Sequence, residues 1–176
     1  MPSEAPLEKA GEGLAPKGEG WFVLNARQAR WRDGDFGRYT RFQGDAGFDQ
    51  LGINVGILQP GQASCMYHGE DAQEDFLVLS GECLVLIEGQ ERRLKAWDFV
   101  HCPPMAEHVF VGAGDGPAVL LAVGRRGPDE DIIYRESELA QRHGAGVAKT
   151  TKDPDEAYAG NNPDVDVPYG EGWLPG

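Results

Sequence analysis

The feature that most constrains this fold is a succession of short, strand-like segments separated by turns through the middle of the chain. Residues 51–58 alternate in a strand-like way around small residues, and residues 76–79 and 84–87 flank a Ser80-Gly81-Glu82 turn that predicts a hairpin. Similar short segments continue to residue 123. Strands this short and closely spaced favour a barrel or sandwich over an α/β fold. We therefore predict an all-β, antiparallel fold.

Composition divides the chain into one domain and two flanking segments. A length of 176 residues suits a single domain. Residues 1–19 are rich in Pro, Gly, Glu and Lys, so we predict a flexible leader. The β-barrel domain is predicted over residues 20–125. Residues 126–176 are predicted to form a linker, a short helix capped by Ser137, and an extended arm that wraps the barrel or a neighbouring subunit.

Several local patterns predict individual strands and links. Residues 21–24 are apolar and predict a strand, whereas residues 26–35 are charged and typical of turns. Residues 38–42 alternate basic with aromatic or polar side chains, which predicts an edge strand. Residues 63–68 are predicted as a further strand, and residues 127–131 as a link to the C-terminal segment.

Charge and cysteine content exclude several classes of partner. The formal net charge is −13, so little is available to neutralise phosphates, and we predict neither nucleic-acid nor membrane partners. No apolar run approaches the length of a bilayer-spanning helix, and no secretory signal is evident at the N-terminus. The three cysteines are widely spaced and odd in number, which favours reduced thiols and a cytoplasmic location.

Four polar residues are predicted to converge inside the barrel as a metal site. His68 and Glu70 are two apart, so on a strand they point to the same face, and Glu74 rejoins that face at the start of the next strand. His108 arrives from a separate strand beyond Pro103-Pro104. Imidazole and carboxylate together suit a divalent transition metal such as Mn, Fe, Ni or Zn, without choosing among them. A buried carboxylate pair would be costly without such a partner.

Glu70 has a second interpretation as a catalytic residue. It can leave the metal to the other three side chains and serve as general base. Asp75 is an alternative to Glu74 if the preceding link is one residue longer, whereas His101 is predicted to be structural.

The same residues resemble the two sequence motifs of the cupin superfamily. His68, Glu74 and Gly81 occupy positions similar to those of motif 1, with six residues between Glu74 and Gly81. Asp98, Pro103 and His108 match a pattern similar to motif 2. The resemblance covers roughly residues 50–124, and it implies a small antiparallel β-barrel of the double-stranded β-helix or jelly-roll type with a metal or ligand at its centre.

The sequence departs from these motifs at four informative positions. Glu70 stands at the second His of motif 1. In motif 2, Trp97 and Met105 stand at two glycines, and Gly112 stands at the final Asn.

Three functions remain open from the sequence. The first is an enzyme, of the isomerase, decarboxylase or dioxygenase type found among cupins, whose metal acts on a small sugar, hydroxy-acid or keto-acid. The second is a metabolite-binding or sensing module without turnover, and the third is a metal-free, epimerase-like site with His68 as base. In each case the partner is a small-molecule ligand, and we expect a homodimer.

Overall fold

The computed structural model describes residues 1–126 and 131–176, and its secondary structure is mostly antiparallel β. The strands are β1 Leu7–Ala10, β2 Gly13–Pro16, β3 Trp31–Gly34, β4 Gly37–Arg41, β5 Leu51–Leu58, β6 Gly69–Glu70, β7 Glu74–Ser80, β8 Glu82–Ile87, β9 Gln90–Lys95, β10 Phe99–Cys102, β11 His108–Ala113, β12 Ala118–Arg125, β13 Ile132–Ile133 and β14 Val165–Val167. The helices are α1 Glu138–Arg142 and α2 Pro154–Ala157, with a 3₁₀ turn at Ala26–Gln28. The predicted all-β fold is confirmed.

Two sheets enclose the interior of the barrel. The larger sheet has seven strands in the order β10-β7-β12-β5-β4-β3-β14, and the smaller has three in the order β11-β8-β9. All strand pairs within these sheets are antiparallel. Apolar side chains from both sheets meet in a shared interior, as in Val78 and Leu120 from the larger sheet and Val85 and Phe110 from the smaller. This packing fills one part of the interior with an apolar core.

The register of the larger sheet places one row of side chains towards the interior. Phe76 pairs with Ala122, Ala122 pairs with Asn54, and Asn54 pairs with Arg41. Directly opposed residues of an antiparallel pair face the same way, so this row crosses β7, β12, β5 and β4 on one face. The side chains of this row are apolar on β7 and β12 and polar on β5 and β4. The row therefore forms a cavity wall that can contact both apolar and polar parts of a ligand.

The opposite face of the larger sheet has its own core, which the C-terminal segment covers. Trp31, Val55, Ile57 and Val119 are buried there, and side chains of the tail pack against them. The ring of Trp173 meets that of Trp31 edge to face, with centroids 5.5 Å apart. The tail therefore wraps the barrel of its own chain, one of the two outcomes expected for an arm.

The C-terminal segment also contains regular structure. Helix α1 begins after Ser137, whose side chain accepts a hydrogen bond from the backbone N–H of Ala140, as predicted for a capping residue. Strand β14 pairs with β3, and α2 begins at Pro154. The predicted link over residues 127–131 lies outside the described residues except for Asp131.

Several local predictions differ from the structure. Residues 7–16 of the expected flexible leader form the β1–β2 hairpin, whose turn uses Gly11 with φ of 57°. Residues 31–34, interpreted as a turn, form β3, because β4 and β14 supply backbone partners on both sides. Strand β4 consequently lies inside the sheet and not at its edge.

Two further segments are less regular than predicted. Residues 21–24 form no strand, and Trp21 makes only an isolated bridge to Glu4. Residues 63–68 form no continuous strand either, and they are tied to β11 by isolated bridges at Ala63 and His68. Among the described residues, no helix is both long and apolar enough to cross a membrane.

Candidate metal centre

Three elements bring His68, Glu74 and His108 together. His68 immediately precedes β6, Glu74 begins β7, and His108 begins β11. The backbones of His68 and His108 pair as an antiparallel bridge, so their side chains leave the same side of the paired backbones. Both histidines are buried, with exposed fractions of 8% and 2%. The three side chains meet at the inner end of the barrel cavity.

The ligand atoms of these three residues form a tight group. Glu74 Oε2 lies 3.2 Å from His108 Nε2 and 4.0 Å from His68 Nε2. All three atoms lie within 4.8 Å of one another, a spread that one metal ion can bridge. Two imidazole nitrogens and one carboxylate oxygen match the facial set of three ligands that leaves positions open for exogenous molecules.

Backbone carbonyls orient both imidazole rings. His68 Nδ1 lies 2.8 Å from the carbonyl oxygen of Met66, and His108 Nδ1 lies 2.9 Å from that of Ala106. A carbonyl oxygen only accepts, so each Nδ1 carries the hydrogen and donates it. In a neutral ring this leaves the lone pair on Nε2, which faces the other ligand atoms. Hydrogen bonds of this kind accompany metal-binding histidines and fix their tautomer.

Glu74 Oε2 is a buried acceptor that lacks a hydrogen bond among the described residues. A buried carboxylate oxygen without a well-aligned donor is costly, because burial removes its hydration. Its nearest polar neighbours are the Nε2 atoms of the two histidines, which are themselves candidate metal ligands. A cation between these atoms would bind the carboxylate oxygen and both imidazole nitrogens at once. The residues present therefore fit a divalent metal.

In the metal-free protein, neighbouring groups favour the protonated form of both histidines. Burial lowers the pKa of His108, but hydrogen bonds and charge interactions with Cys102 and Glu74 outweigh this effect and raise the pKa to about 11. Burial also lowers the pKa of His68, yet the neighbouring Cys65 outweighs it and raises the pKa to about 9. Both imidazoles therefore carry protons at neutral pH until a metal ion displaces them.

Glu70 lies next to this group. Its Oε2 atom is 3.9 Å from His68 Nε2, and its side chain borders a small polar cavity that Glu74 also lines. The sequence-based set of four ligands therefore divides into three grouped residues and one neighbour. This placement leaves open both roles that were predicted for Glu70.

A cavity of about 660 Å³ leads from the triad to the surface. This volume lies in the range of small-molecule sites. Its inner walls come from the barrel strands, and its mouth is bordered by the C-terminal segment at Tyr158 and residues 161–164. No local sequence pattern indicates this arrangement, because the contacts at the mouth join segments more than a hundred residues apart.

Polar side chains at the mouth are mostly paired with one another. The Tyr39 hydroxyl donates to Asp164 Oδ2 at 2.7 Å, and burial together with this contact raises the pKa of Tyr39. Arg38 donates to Asp33 and lies over the ring of Trp173. Arg41 lies over the ring of Tyr39 and makes no ion pair within the described ranges. Arg41 is thus the cation of the lining that remains available to a ligand.

The other sequence candidates lie outside the site. His101 is exposed and holds Asp75 through a 2.7 Å contact, which lowers the pKa of that carboxyl. Asp75 therefore does not replace Glu74 in the group. His143 contacts Glu91 beside the C-terminal end of α1. The cysteines are free thiols: Cys83 and Cys102 are buried, and Cys65 is half-buried at the cavity wall.

The motif departures at Trp97 and Met105 coincide with left-handed backbone. Their φ angles are 75° and 68°. Glycine adopts this region readily, whereas a residue with a Cβ is strained there. This explains why glycine is favoured at both motif positions, and it shows that the turns keep their shape when glycine is replaced.

Comparison with known proteins identifies the domain. Residues 54–124 match the family model described as a cupin domain, Cupin_2. A search of curated proteins found no match. A structure of a sugar phosphate isomerase from a cupin superfamily, from Silicibacter pomeroyi DSS-3, is similar with 28% identity and a TM-score of 0.57, over 62% of this chain and 79% of that one.

Two more distant structures share the fold. A protein from Acidithiobacillus ferrooxidans, provisionally named a sugar phosphate isomerase, has 24% identity and a TM-score of 0.53 over 62% of this chain and 78% of its own. The polyketide cyclase RemF from Streptomyces resistomycificus has 13% identity and a TM-score of 0.53 over 61% and 82%. With its paired antiparallel sheets, its two motifs and the matching family model, the segment over residues 54–124 is a cupin domain.

Proposed function

We propose that this protein is a metal-dependent cupin enzyme that converts a small molecule bound in the barrel cavity. The observation that carries the proposal is the buried Glu74 Oε2, which forms no well-aligned hydrogen bond within the described part of the chain and faces the Nε2 atoms of His68 and His108. Such a group is stabilised by a divalent cation. The donor set suits Mn, Fe, Ni or Zn, and a bound ion would act as a Lewis acid on a substrate oxygen.

The protein's own residues would supply orientation and proton transfer. The carbonyls of Met66 and Ala106 hold both imidazoles in the tautomer that presents Nε2 to the centre. The Glu70 carboxylate lies 3.9 Å from His68 Nε2, so it lies beside any ligand at the triad. We propose Glu70 as the general base, which accepts a proton from the bound substrate directly or through one water.

The triad and one of the structural comparisons support a substrate class. Open positions beside three protein ligands suit a molecule that offers two adjacent oxygens, such as a hydroxy-acid, a keto-acid or a sugar. The Silicibacter pomeroyi structure at 28% identity is named a sugar phosphate isomerase. This likeness supports an isomerase-type reaction, in which a base moves a proton next to a polarised carbonyl.

Metal analysis of the purified protein tests the proposal first. We expect about one equivalent of transition metal in protein expressed in its natural host, and less than a tenth of an equivalent in His108→Ala. His101→Ala is the matched control, because His101 is exposed and lies outside the cavity. Wild-type protein with less than a tenth of an equivalent would reject a metal-dependent enzyme and favour the metal-free epimerase-like alternative.

Turnover tests the enzymatic part separately. A panel of sugars, sugar phosphates, hydroxy-acids and keto-acids is incubated with protein before and after chelation. We expect one class to be consumed by the metal-loaded protein and to persist after chelation. If ligands bind but every substrate level stays unchanged, the protein is a binding or sensing module instead.

Two further predictions concern the cellular location and the oligomeric state. A cytoplasmic location is expected from the free thiols. A homodimer is expected from the sequence analysis, and light scattering of the full chain across a range of concentrations measures it.

A further inference from the structure

We infer that the ligand of this cavity has an apolar body attached to its metal-binding oxygens, as in an aryl- or branched alkyl-substituted oxo- or hydroxy-acid. The inference rests on the proposed function and narrows its substrate class. It selects among the acids and sugars that the triad alone would accept.

The walls next to the triad are apolar. The apolar side chains of the lining are Phe36, Leu58, Phe76, Phe110, Leu120 and Ala122, and the ring of Phe76 lies 5.2 Å from that of His108, centroid to centroid. A sugar lying against these groups would lose water from its hydroxyls without gaining partners, at a cost of about 1–3 kcal/mol for each unpaired hydroxyl. An aromatic or branched aliphatic body gains about 25 cal/mol for each Å² of apolar surface that it buries there.

The polar groups of the lining are mostly engaged within the protein. Ser64 Oγ accepts a hydrogen bond from the backbone N–H of Phe110, and the Tyr39 hydroxyl donates to Asp164. The side-chain amides of Asn161 and Asn162 donate to Asp35. The mouth therefore offers few free partners to the several hydroxyls of a sugar.

Two polar groups of the lining remain for a ligand. Asn54 Oδ1 is a buried acceptor without a hydrogen bond among the described residues, and Arg41, its neighbour across the strand pair, makes no ion pair there. Both lie on the interior row that begins at Phe76 on β7. Neighbouring strands are about 4.8 Å apart, so Arg41 is roughly 14 Å from the triad side of the sheet. Along this row, the apolar Phe76 and Ala122 are thus followed by the polar Asn54 and Arg41.

Gly56 provides space for the ligand's body. It lies on the interior face beside Asn54, and the nearest atom to an added Cβ would be the carbonyl oxygen of Arg38 at 3.9 Å. A larger side chain at this position would therefore enter the cavity without overlapping the backbone. This makes Gly56 the position at which the inferred body can be blocked while the triad is left unchanged.

The test compares pyruvate, phenylpyruvate and glucose 6-phosphate on the cobalt-loaded protein. Pyruvate and phenylpyruvate share the chelating 2-oxo-carboxylate and differ by one phenyl group. We expect phenylpyruvate to bind at least tenfold more tightly than either other probe, as measured by titration calorimetry. Equal affinities for pyruvate and phenylpyruvate, or tighter binding of glucose 6-phosphate, would overturn the inference.

Two leucine variants locate the effect. Gly56→Leu should lose the tenfold preference but keep its cobalt content and its affinity for pyruvate. Gly116→Leu, in the turn between β11 and β12 where an added Cβ meets nothing within 4 Å, should keep the preference. A preference that survives in folded Gly56→Leu places the phenyl group elsewhere and rejects the inference. The wild-type comparison decides the question even if Gly56→Leu folds poorly.

The cobalt content separates this inference from the proposed function. If the wild type binds cobalt but shows no preference for phenylpyruvate over pyruvate, only the inference of an apolar ligand body is wrong. If it binds no cobalt, the metal-dependent function fails first, and the narrower substrate class fails with it.

Discussion

His68 and His108 exchange two backbone hydrogen bonds, from His68 N–H to the His108 carbonyl at 3.2 Å and from His108 N–H to the His68 carbonyl at 2.8 Å. Residues paired in this way point to the same side, and the two imidazole centroids are 5.3 Å apart. The positions of the two nitrogen ligands are thus set by the backbone before any metal is present. Such preorganisation reduces the cost of ordering the ligands when an ion binds.

Chelation should destabilise the wild-type protein. At a free metal concentration a thousandfold above the dissociation constant, binding stabilises the fold by about 4 kcal/mol. For a chain of this length, that corresponds to a fall of about 8–16 °C in the melting temperature when the metal is removed. Calorimetry or circular dichroism with and without chelator measures the shift. His68→Ala should abolish it and His101→Ala should keep it, whereas identical shifts in both variants would contradict the site.

Metal affinity should increase with pH. In the metal-free protein the pKa values of His68 and His108 lie above the usual 6.5, so both rings hold protons at neutral pH. An ion must displace these protons, because only a neutral imidazole binds a metal. We therefore expect Zn²⁺ to bind more tightly at each step from pH 6 to pH 8. Calorimetry in buffers of different ionisation enthalpy should detect release of up to two protons.

The stability of the metal-free protein should show the opposite trend. A histidine whose folded pKa is raised contributes stability that is fully present below its unfolded value of 6.5. For His108, this contribution is lost progressively as the pH rises above 6.5 towards the folded pKa of about 11. Urea unfolding of chelated protein should therefore show falling stability from pH 7 to pH 10. A constant or rising stability over this interval would contradict the assigned protonation states.

Glu70→Gln should separate the two roles predicted for Glu70. As a general base, the carboxylate contributes through proton transfer, so its loss should lower turnover by about 10²–10⁴-fold. The metal content should stay near one equivalent, because Glu70 lies outside the group formed by His68, Glu74 and His108. A marked loss of metal in Glu70→Gln would instead identify Glu70 as a fourth ligand. Metal analysis and turnover must be measured on the same preparation.

Trp97→Gly should stabilise the protein. Trp97 has a φ of 75°, and its side chain is 74% exposed, so replacement relieves backbone strain and sacrifices little burial. Left-handed backbone costs a residue with a Cβ about 1–2 kcal/mol. The greater flexibility of glycine in the unfolded chain offsets part of this gain, so we expect a net increase of about 0.5–1 kcal/mol in the free energy of unfolding.

Urea unfolding measures this increase, and Trp97→Ala provides the matched control. Alanine removes the same ring but keeps a Cβ at the left-handed position. We expect no stabilisation in Trp97→Ala. Equal stability of the two variants would show that the backbone angle is not the cause.

The central strands and the site were predictable because their signals are local. Alternation identified β5, and the sequence spacing predicted a metal site of His68, Glu70, Glu74 and His108, three of which the structure groups together. Strand β3 was missed because it is charged and depends on backbone partners from β4 and β14. In such a strand, pairing with distant segments outweighs the preference of the local sequence.

The contribution of the C-terminal segment to the cavity was not predictable. Asn161, Asn162 and Asp164 carry no pattern that points to a binding site, and they reach the mouth because Asp35 and Tyr39 anchor them. The glycine at position 112 is explained only by the structure. A Cβ there would overlap the carbonyl oxygen of Gln59, so the Asn of the family motif does not fit at this position.

The border that Tyr158 and residues 161–164 give to the cavity has a consequence for biosynthesis. The ribosome makes these residues after all the strands that carry the triad. While they are still being synthesised, the nascent barrel presents His68, Glu74 and His108 through a wider opening than the finished protein does. Ion capture during translation would therefore meet less steric obstruction than loading of the released chain.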